Sequence, residues 1–360
     1  MKIGVVIGTR PDIIKLSPLI RYLENTKAEY FMIHTGQHYS YNMDKQFFEE
    51  LNLPEPKYNL GIGSKSHGEM TGTMLVGIEK ILVDEKPPVV LVLGDTNTTL
   101  AGVLAASKMH IKVGHIEAGL RSYDKKMPEE VNRIVADHLS DYLFTPTSVS
   151  YGNLISEGIL RDKIYISGNP IVDAIQQNLP IAEKKELILD RLKIDKKNYF
   201  LVTTHRPENV DNKNILQNIF DALKMIHSEY NYDIIFPVHP RTKSCIKNFE
   251  IVVPEFVKTI DPLGYLDFIQ LQNNAKLILT DSGGIQEESC VLGVPCVTLR
   301  EHTERPETID VGSNILAGTD KDRICDAVKL MVNSENSWEN PYGDGTSAKK
   351  IIQYLHKKLK

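Results

Sequence analysis

The stretch Val89-Val90-Leu91-Val92-Leu93, followed at once by Gly94-Asp95-Thr96, is an apolar run without alternation that stops in a polar turn. A strand wet on one face alternates apolar and polar residues. An unbroken run marks a strand covered on both faces, hence a parallel sheet between helices. Runs of the same kind lie on either side. Ile3–Ile7, Tyr30–His34, 112–117, 142–146 and 164–167 make a first series with it, and 200–204, 234–238, 276–280, 296–299 and Asn314–Leu316 make a second. Between them apolar residues fall at helical spacing, as in Ile13, Leu16, Ile20 and Leu23. This predicts an α/β fold of two Rossmann-like, doubly wound parallel-sheet domains facing a cleft.

The length fits that count, since 360 residues at roughly 100–200 per domain allow two. The domain change is expected between Gly168-Asn169-Pro170 and the charged segment 183–197, giving domains 1–169 and 170–342. A weak internal echo supports two similar halves: Val5-Val6-Ile7-Gly8-Thr9-Arg10-Pro11-Asp12 against Leu201-Val202-Thr203-Thr204-His205-Arg206-Pro207-Glu208. With 42 Lys and Arg against 47 Asp and Glu, the net charge of −5 speaks against a nucleic-acid-binding surface, though not against a local basic pocket. No apolar run is long enough to span a bilayer, so no membrane partner is expected. The first apolar run ends too early, in Thr9-Arg10-Pro11-Asp12, to be a secretory signal. Cys245, Cys290, Cys296 and Cys325 form no CxxC pair, which fits a reducing, cytoplasmic location.

Ligands of open α/β sheets bind beyond the carboxyl ends of the strands, so the residues there are the candidates. The first strand ends in Gly8-Thr9-Arg10-Pro11, with Lys15 one turn later. Pro11 suits a helix start, and Arg10 and Lys15 there suit a phosphate or carboxylate, or an ordinary capped helix. GxGxxG is missing, so no dinucleotide cofactor is expected. Asp95 is a cap or a ligand contact. Glu117 is read as lying within an otherwise apolar strand, where an unpartnered carboxylate is costly, so a site explains it better. Glu129 and Glu130 also fit the acidic first turn of a helix. Converging carboxylates raise one another's pKa, as proton transfer requires. His205, Arg206 and His239 follow strands and can neutralise a diphosphate. No HExxH or other ligand spacing suggests a metal. Thr280-Asp281-Ser282-Gly283-Gly284-Ile285-Gln286-Glu287-Glu288 runs from a strand through glycines into a helix, a turn built for phosphate, with Glu288 placed for a ribose diol. Tyr41 and Lys45 match the YxxxK pair of dehydrogenase-type epimerases, but without the dinucleotide loop the match reads as coincidence.

Taken together, these residues resemble the non-hydrolysing UDP-N-acetylglucosamine 2-epimerases over nearly the whole chain. The resemblance is carried by Gly8-Thr9-Arg10-Pro11, Gly94-Asp95-Thr96, His115-Ile116-Glu117-Ala118-Gly119-Leu120-Arg121, Pro128-Glu129-Glu130-Val131-Asn132-Arg133, the 280–288 turn, Glu304-Arg305-Pro306-Glu307 and Asn340-Pro341-Tyr342-Gly343-Asp344-Gly345. It implies the GT-B two-domain architecture, a C-terminal helix (343–360) that returns to the first domain, and a homodimer. It implies interconversion of UDP-GlcNAc and UDP-ManNAc at C2, by elimination of UDP to a 2-acetamidoglucal and re-addition, without NAD. By motif, Asp95, Glu117 and Glu129 are the acid/base carboxylates, and which of them takes the C2 proton stays open. Lys15 and His205 are catalytic or phosphate-contacting. Arg10, Arg206, His239, Ser282, Gly283 and Gly284 hold the diphosphate, Glu288 the ribose, and Phe268 lies near the uracil. The product of such enzymes feeds surface-polysaccharide or archaeal glycan synthesis, and no residue here chooses between them.

One departure stands out. Bacterial members bind a second UDP-GlcNAc as activator through glutamines, here near Gln37 and Gln46, and an arginine on the next helix, where this chain has Gly72-Thr73-Met74. Activation is expected to be absent or altered. The rival readings are a UDP-sugar glycosyltransferase of the same architecture, a hydrolysing 2-epimerase that releases ManNAc and UDP, and a non-catalytic UDP-sugar sensor.

Overall fold

The computed structural model describes residues 1–36 and 41–359, with the backbone alone described at 41–44 and 46. The chain divides into two compact units, Met1–Gln177 with Tyr342–Lys360, and Asn178–Pro341. The helix Pro170–Ala182 runs across the division.

Unit 1 is built on strands β1 (Ile3–Ile7), β2 (Tyr30–His34), β3 (Tyr58–Asn59), β4 (Val89–Leu93), β5 (Lys112–Ile116), β6 (Tyr142–Thr145) and β7 (Ile164–Ile166). They lie in the order β3-β2-β1-β4-β5-β6-β7, all parallel. Every residue of β1 and β4 is buried, as their unbroken hydrophobicity requires. The helix Arg10–Asn25 lays Ile13, Leu16, Ile20 and Leu23 into the core, each fully buried. Removing one such side chain from water is worth about 1.5–3 kcal/mol.

Unit 2 repeats the plan with β8 (Tyr199–Thr203), β9 (Asp233–Pro237), β10 (Val257–Ile260), β11 (Leu277–Thr280), β12 (Cys296–Thr298) and β13 (Asn314–Leu316). Their order is β10-β9-β8-β11-β12-β13, again all parallel. The sequence echo is therefore topological, because β1 and β8 hold the same place in their sheets. In each unit the strand order reverses between that strand and the next one to cross over, β1 against β4 and β8 against β11. Such switch points open a crevice at the carboxyl ends of the strands. The residues that follow these four strands are Gly8, Gly94, Thr204 and Asp281.

Two strands escape the sequence reading. β3 has two residues, and β10 is an edge strand whose Lys258 and Thr259 are not buried, so neither shows an unbroken apolar run. A third difference matters more. β5 stops at Ile116, and Glu117 lies beyond it with φ +66°, so Glu117 forms an elbow and is not within the strand.

The last segment closes unit 1. Asn169 N donates to Tyr342 O at 2.9 Å, and the buried Asp173 carboxylate accepts from the amides of Ser347 and Ala348 at 3.1 and 3.0 Å, capping the helix Ser347–Lys358. Tyr354 of that helix stacks on Tyr165, with ring centroids 4.7 Å apart. Among the described residues no helix is long and apolar enough to cross a membrane.

Candidate active site

In unit 1 the turn after β1 is set by a residue the sequence reading passed over. The buried Asp12 carboxylate accepts from the amides of Gly8 and Thr9, at 3.0 and 2.9 Å. Burial pushes its carboxyl up to about 6, against the pull of those amides. One turn on, the buried Lys15 ammonium pairs with Glu117. Two buried opposite charges in contact stabilise each other, and removing either takes that compensation from the other. Glu117 holds left-handed backbone geometry that costs a non-glycine residue of order 1 kcal/mol, the kind of strain that collects at working sites. The next turn also needs a glycine: Gly119 has φ +81°, and a Cβ there would meet the Ser150 carbonyl oxygen at 2.3 Å.

Beneath Glu117 the buried His115 spans two acceptors, Gly94 O at 2.8 Å and Asp137 Oδ1 at 2.7 Å. Asp137 also receives Gly119 N at 3.1 Å and Arg121 Nη1 at 2.7 Å. Burial works to raise its carboxyl, but His115 and Arg121 together hold it below the usual carboxylate range. This lattice fixes the turns after β4 and β5 to each other.

Asp95 follows Gly94, and its Oδ2 accepts from Arg133 Nε and Nη2 at 3.0 and 2.8 Å. Arg133 also pairs with Glu130, which binds the amides of Ser122 and Tyr123 at 3.0 and 2.9 Å. The two neighbouring glutamates therefore part ways. Glu130 is buried and committed to the loop, while Glu129 is half-buried and makes no side-chain hydrogen bond or ion pair among the described residues. Arg10 lies over the Phe47 ring, 5.1 Å from its centroid. Unit 1 thus joins Lys15 to Glu117 directly and holds Asp95 on Arg133, and His115 ties the turns that carry Asp95 and Glu117 to each other.

In unit 2 the hub is Asp281, which takes the place of Asp12 in the echo. Its Oδ2 accepts from Thr204 Oγ1, His205 N, Arg206 N and Asn209 Nδ2 at 2.7–3.1 Å. Arg206 Nε donates to the main-chain oxygen of Asp281 at 3.0 Å. His205 and His239 lie with ring centroids 5.5 Å apart. Ser282 begins the helix Gly283–Val291, and its hydroxyl makes no hydrogen bond among the described residues. A Cβ on Gly283 would meet Glu304 Oε1 at 2.5 Å, so only glycine lets the turn approach this closely. Glu304 is itself held by Arg300 and Arg305, each at 2.9 Å. Glu288 is buried and accepts from Gln272 Nε2 at 2.6 Å. Phe268 sits one helical turn before Gln272 on the helix Tyr265–Asn274, hence on the same face. Seven of the eight predicted binding residues of unit 2 (His205, Arg206, His239, Ser282, Gly283, Gly284, Glu288) follow β8, β9 or β11, and Phe268 lies on the helix that holds Glu288.

Four residues of this machinery give little signal in the sequence: Asp12, Asp137, Asp281 and Gln272. The only hint was the acid of the Arg-Pro-acid echo, and in unit 2 that acid, Glu208, is exposed. Of the other sequence candidates, Lys45 pairs with Glu55 at 3.0 Å on the surface, while Tyr41's side chain lies outside the described residues. So do Gln37 and the side chain of Gln46. Gly72 and Thr73 are exposed and Met74 is buried in the core, with no cation among the three.

A sequence model of the UDP-N-acetylglucosamine 2-epimerase family matches residues 21–356. The chain belongs to this family. A UDP-N-acetylglucosamine 2-epimerase of Methanocaldococcus jannaschii is 56% identical, over 99% of both chains. The crystal structure of the M. jannaschii epimerase in complex with UDP-GlcNAc and UDP matches at a TM-score of 0.94 and 55% identity, covering 99% of this chain and 100% of that one. A UDP-2,3-diacetamido-2,3-dideoxy-D-glucuronate 2-epimerase of Pseudomonas aeruginosa is 41% identical over 99% of this chain and 100% of its own. The architecture of this epimerase is the GT-B type, two parallel-sheet α/β units. Its networks at both switch points consist of side chains that offer charges and hydrogen bonds.

Proposed function

We propose that this chain interconverts UDP-GlcNAc and UDP-ManNAc by inverting C2 of the sugar. The observation that carries the reading is the pairing of two different sites on one fold: carboxylates Asp95 and Glu117 held by cations at the turns after β4 and β5, and a glycine turn with histidine and arginine after β8 and β11. The C2 proton is not α to a carbonyl, so a carboxylate base removes it only as the C1–O bond breaks. In elimination the C2 proton goes to a carboxylate, C1=C2 forms, and UDP leaves with the bonding electrons. Re-addition delivers a proton to the other face of C2 and returns UDP oxygen to C1. Glu117, Asp95 and Glu129 serve the proton transfers, and Lys15 stabilises the ionised Glu117. Arg10, Arg206, His205, His239, the Ser282 hydroxyl and the amides of Gly283 and Gly284 take the negative charge that gathers on the leaving diphosphate. Glu288 receives the ribose hydroxyls and Phe268 the uracil. The enzyme works as a cytoplasmic homodimer, with activation by a second UDP-GlcNAc absent or altered.

Incubation with UDP-GlcNAc in D2O, without NAD or acceptor, followed by proton NMR, tests this. The expected result is UDP-ManNAc with deuterium at C2. Free ManNAc selects the hydrolysing reaction, and no change selects a transferase or sensor. Turnover of UDP-2,3-diacetamido-2,3-dideoxyglucuronate alone assigns the other substrate.

A further inference from the structure

We propose that Asp281 is the positioning residue of His205, holding its ring in the tautomer with the proton on Nδ1. Asp281 is fully buried, and four neutral donors fill its Oδ2: the Thr204 hydroxyl, the amides of His205 and Arg206, and the Asn209 side chain. That leaves Oδ1, a buried oxygen that no aligned hydrogen bond reaches among the described residues, and the group beside it is His205 Nδ1, in ion-pair contact at 3.1 Å. Arg206, the nearest guanidinium, spends its Nε on the main-chain oxygen of Asp281 and not on the carboxylate. A buried ionised carboxylate costs several kcal/mol unless paired, and neutral amides alone do not require a charge there. The charge is explained by the imidazole it faces. A carboxylate oxygen only accepts, so this contact favours the ring with its proton on Nδ1, and a small turn of the imidazole aligns that proton with the unpartnered Oδ1. The side chain of His205 is 43% exposed, and its Nε2 has no hydrogen-bond partner among the described residues.

His239 supplies the contrast. Its Nδ1 accepts from Arg241 N at 3.2 Å, so its own proton sits on Nε2. Two imidazoles with centroids 5.5 Å apart are thus held in opposite tautomers by different neighbours. For His205 the consequence is that Nε2 is the nitrogen that exchanges protons. Resting on the epimerase reading, Nε2 takes a proton from solvent before elimination, passes it to a β-phosphate oxygen as the C1–O bond breaks, which leaves the Nδ1–H tautomer, and takes it back on re-addition. Asp281 touches neither sugar nor phosphate in this scheme and acts through the ring alone.

The test uses the full chain labelled with 15N-histidine, at about pH 8.5, above the ordinary histidine range. His205→Gln identifies the ring signals. The parent His205 is expected to show a protonated Nδ1 and a bare Nε2, and a parent ring protonated on Nε2 overturns the proposal whatever the variants do. In Asp281→Asn the Nδ1-protonated signal is expected to be lost, with kcat falling about tenfold or more and KM changing less than about threefold. The double variant is expected to be no slower than His205→Gln, because a residue acting through the ring has nothing left to act on. Losses that multiply in the double variant, with the ring tautomer unchanged in Asp281→Asn, assign Asp281 a structural role only and refute the inference. The ring signals are read without substrate, so they stand or fall separately from the epimerase reading.

Discussion

Replacing Glu117 by glutamine removes one negative charge and almost no volume from a buried pair whose side chains are 4% and 7% exposed. The Lys15 ammonium then faces an amide oxygen instead of a carboxylate. Deleting one partner of a buried pair costs about 3–5 kcal/mol, and the retained amide oxygen reduces this to about 2–3 kcal/mol. For a unit of this size that is a Tm lower by about 5–10 °C. Turnover is expected to fall by about 10³, the middle range for losing a general acid or base. UDP affinity should change less than about threefold, since the groups assigned to UDP are mainly those of unit 2. The combination Lys15→Met with Glu117→Gln removes both charges, and should recover stability to within about 1 kcal/mol of the parent while staying inactive. Calorimetry, UDP titration and NMR-monitored turnover on the parent, both single variants and the double variant make up the assay. A Glu117→Gln enzyme within tenfold of parental turnover, or a double variant less stable than both single variants, refutes the reasoning.

Gly283→Ala is expected to weaken UDP binding about tenfold or more, as the added Cβ lies 2.5 Å from Glu304 Oε1 and must displace it; titration calorimetry reads this. Glu130→Gln and Glu129→Gln should separate cleanly. The first loosens the Ser122–Tyr123 loop and lowers Tm, and the second leaves Tm within about 1 °C and lowers kcat, so thermal melts beside rate measurements decide. Asp281 supplies a pH dependence. Burial raises its carboxyl, but His205, Thr204 and the Arg206 amide bring it down from 3.8 to about 2. The folded value lies below the unfolded one, so its contribution is whole above about pH 4 and is lost as pH falls through 2. The stability gap between parent and Asp281→Asn in urea unfolding should therefore narrow as pH drops from about 6 to 3, within a total of about 2 kcal/mol.

The sheet strands were legible in the sequence because a strand buried on both faces has no polar residue to interrupt it, as in Val89–Leu93. β3 and β10 were not, since a two-residue strand and a half-exposed edge carry no such run. The candidate residues were legible by their place after strands and by resemblance. Their supports were not. Asp281 meets Thr204, His205 and Arg206 across 75–77 residues of chain, and His115 meets Asp137 across 22, separations that no local pattern encodes. Backbone sign is equally silent: nothing in His115-Ile116-Glu117-Ala118 announces that Glu117 turns left-handed.

The return of Tyr342–Lys360 to unit 1 has a consequence for how the molecule is made. Unit 2 is one uninterrupted stretch of chain, whereas unit 1 lacks the helix Ser347–Lys358 until all of unit 2 has been made. On the ribosome, unit 2 can reach its finished form while unit 1 still waits with the surface around Phe144, Tyr165 and Asp173 uncovered. A premature stop near residue 342 would thus spare unit 2 and cripple unit 1, although Asp95, Glu117 and Glu129 lie more than 200 residues upstream.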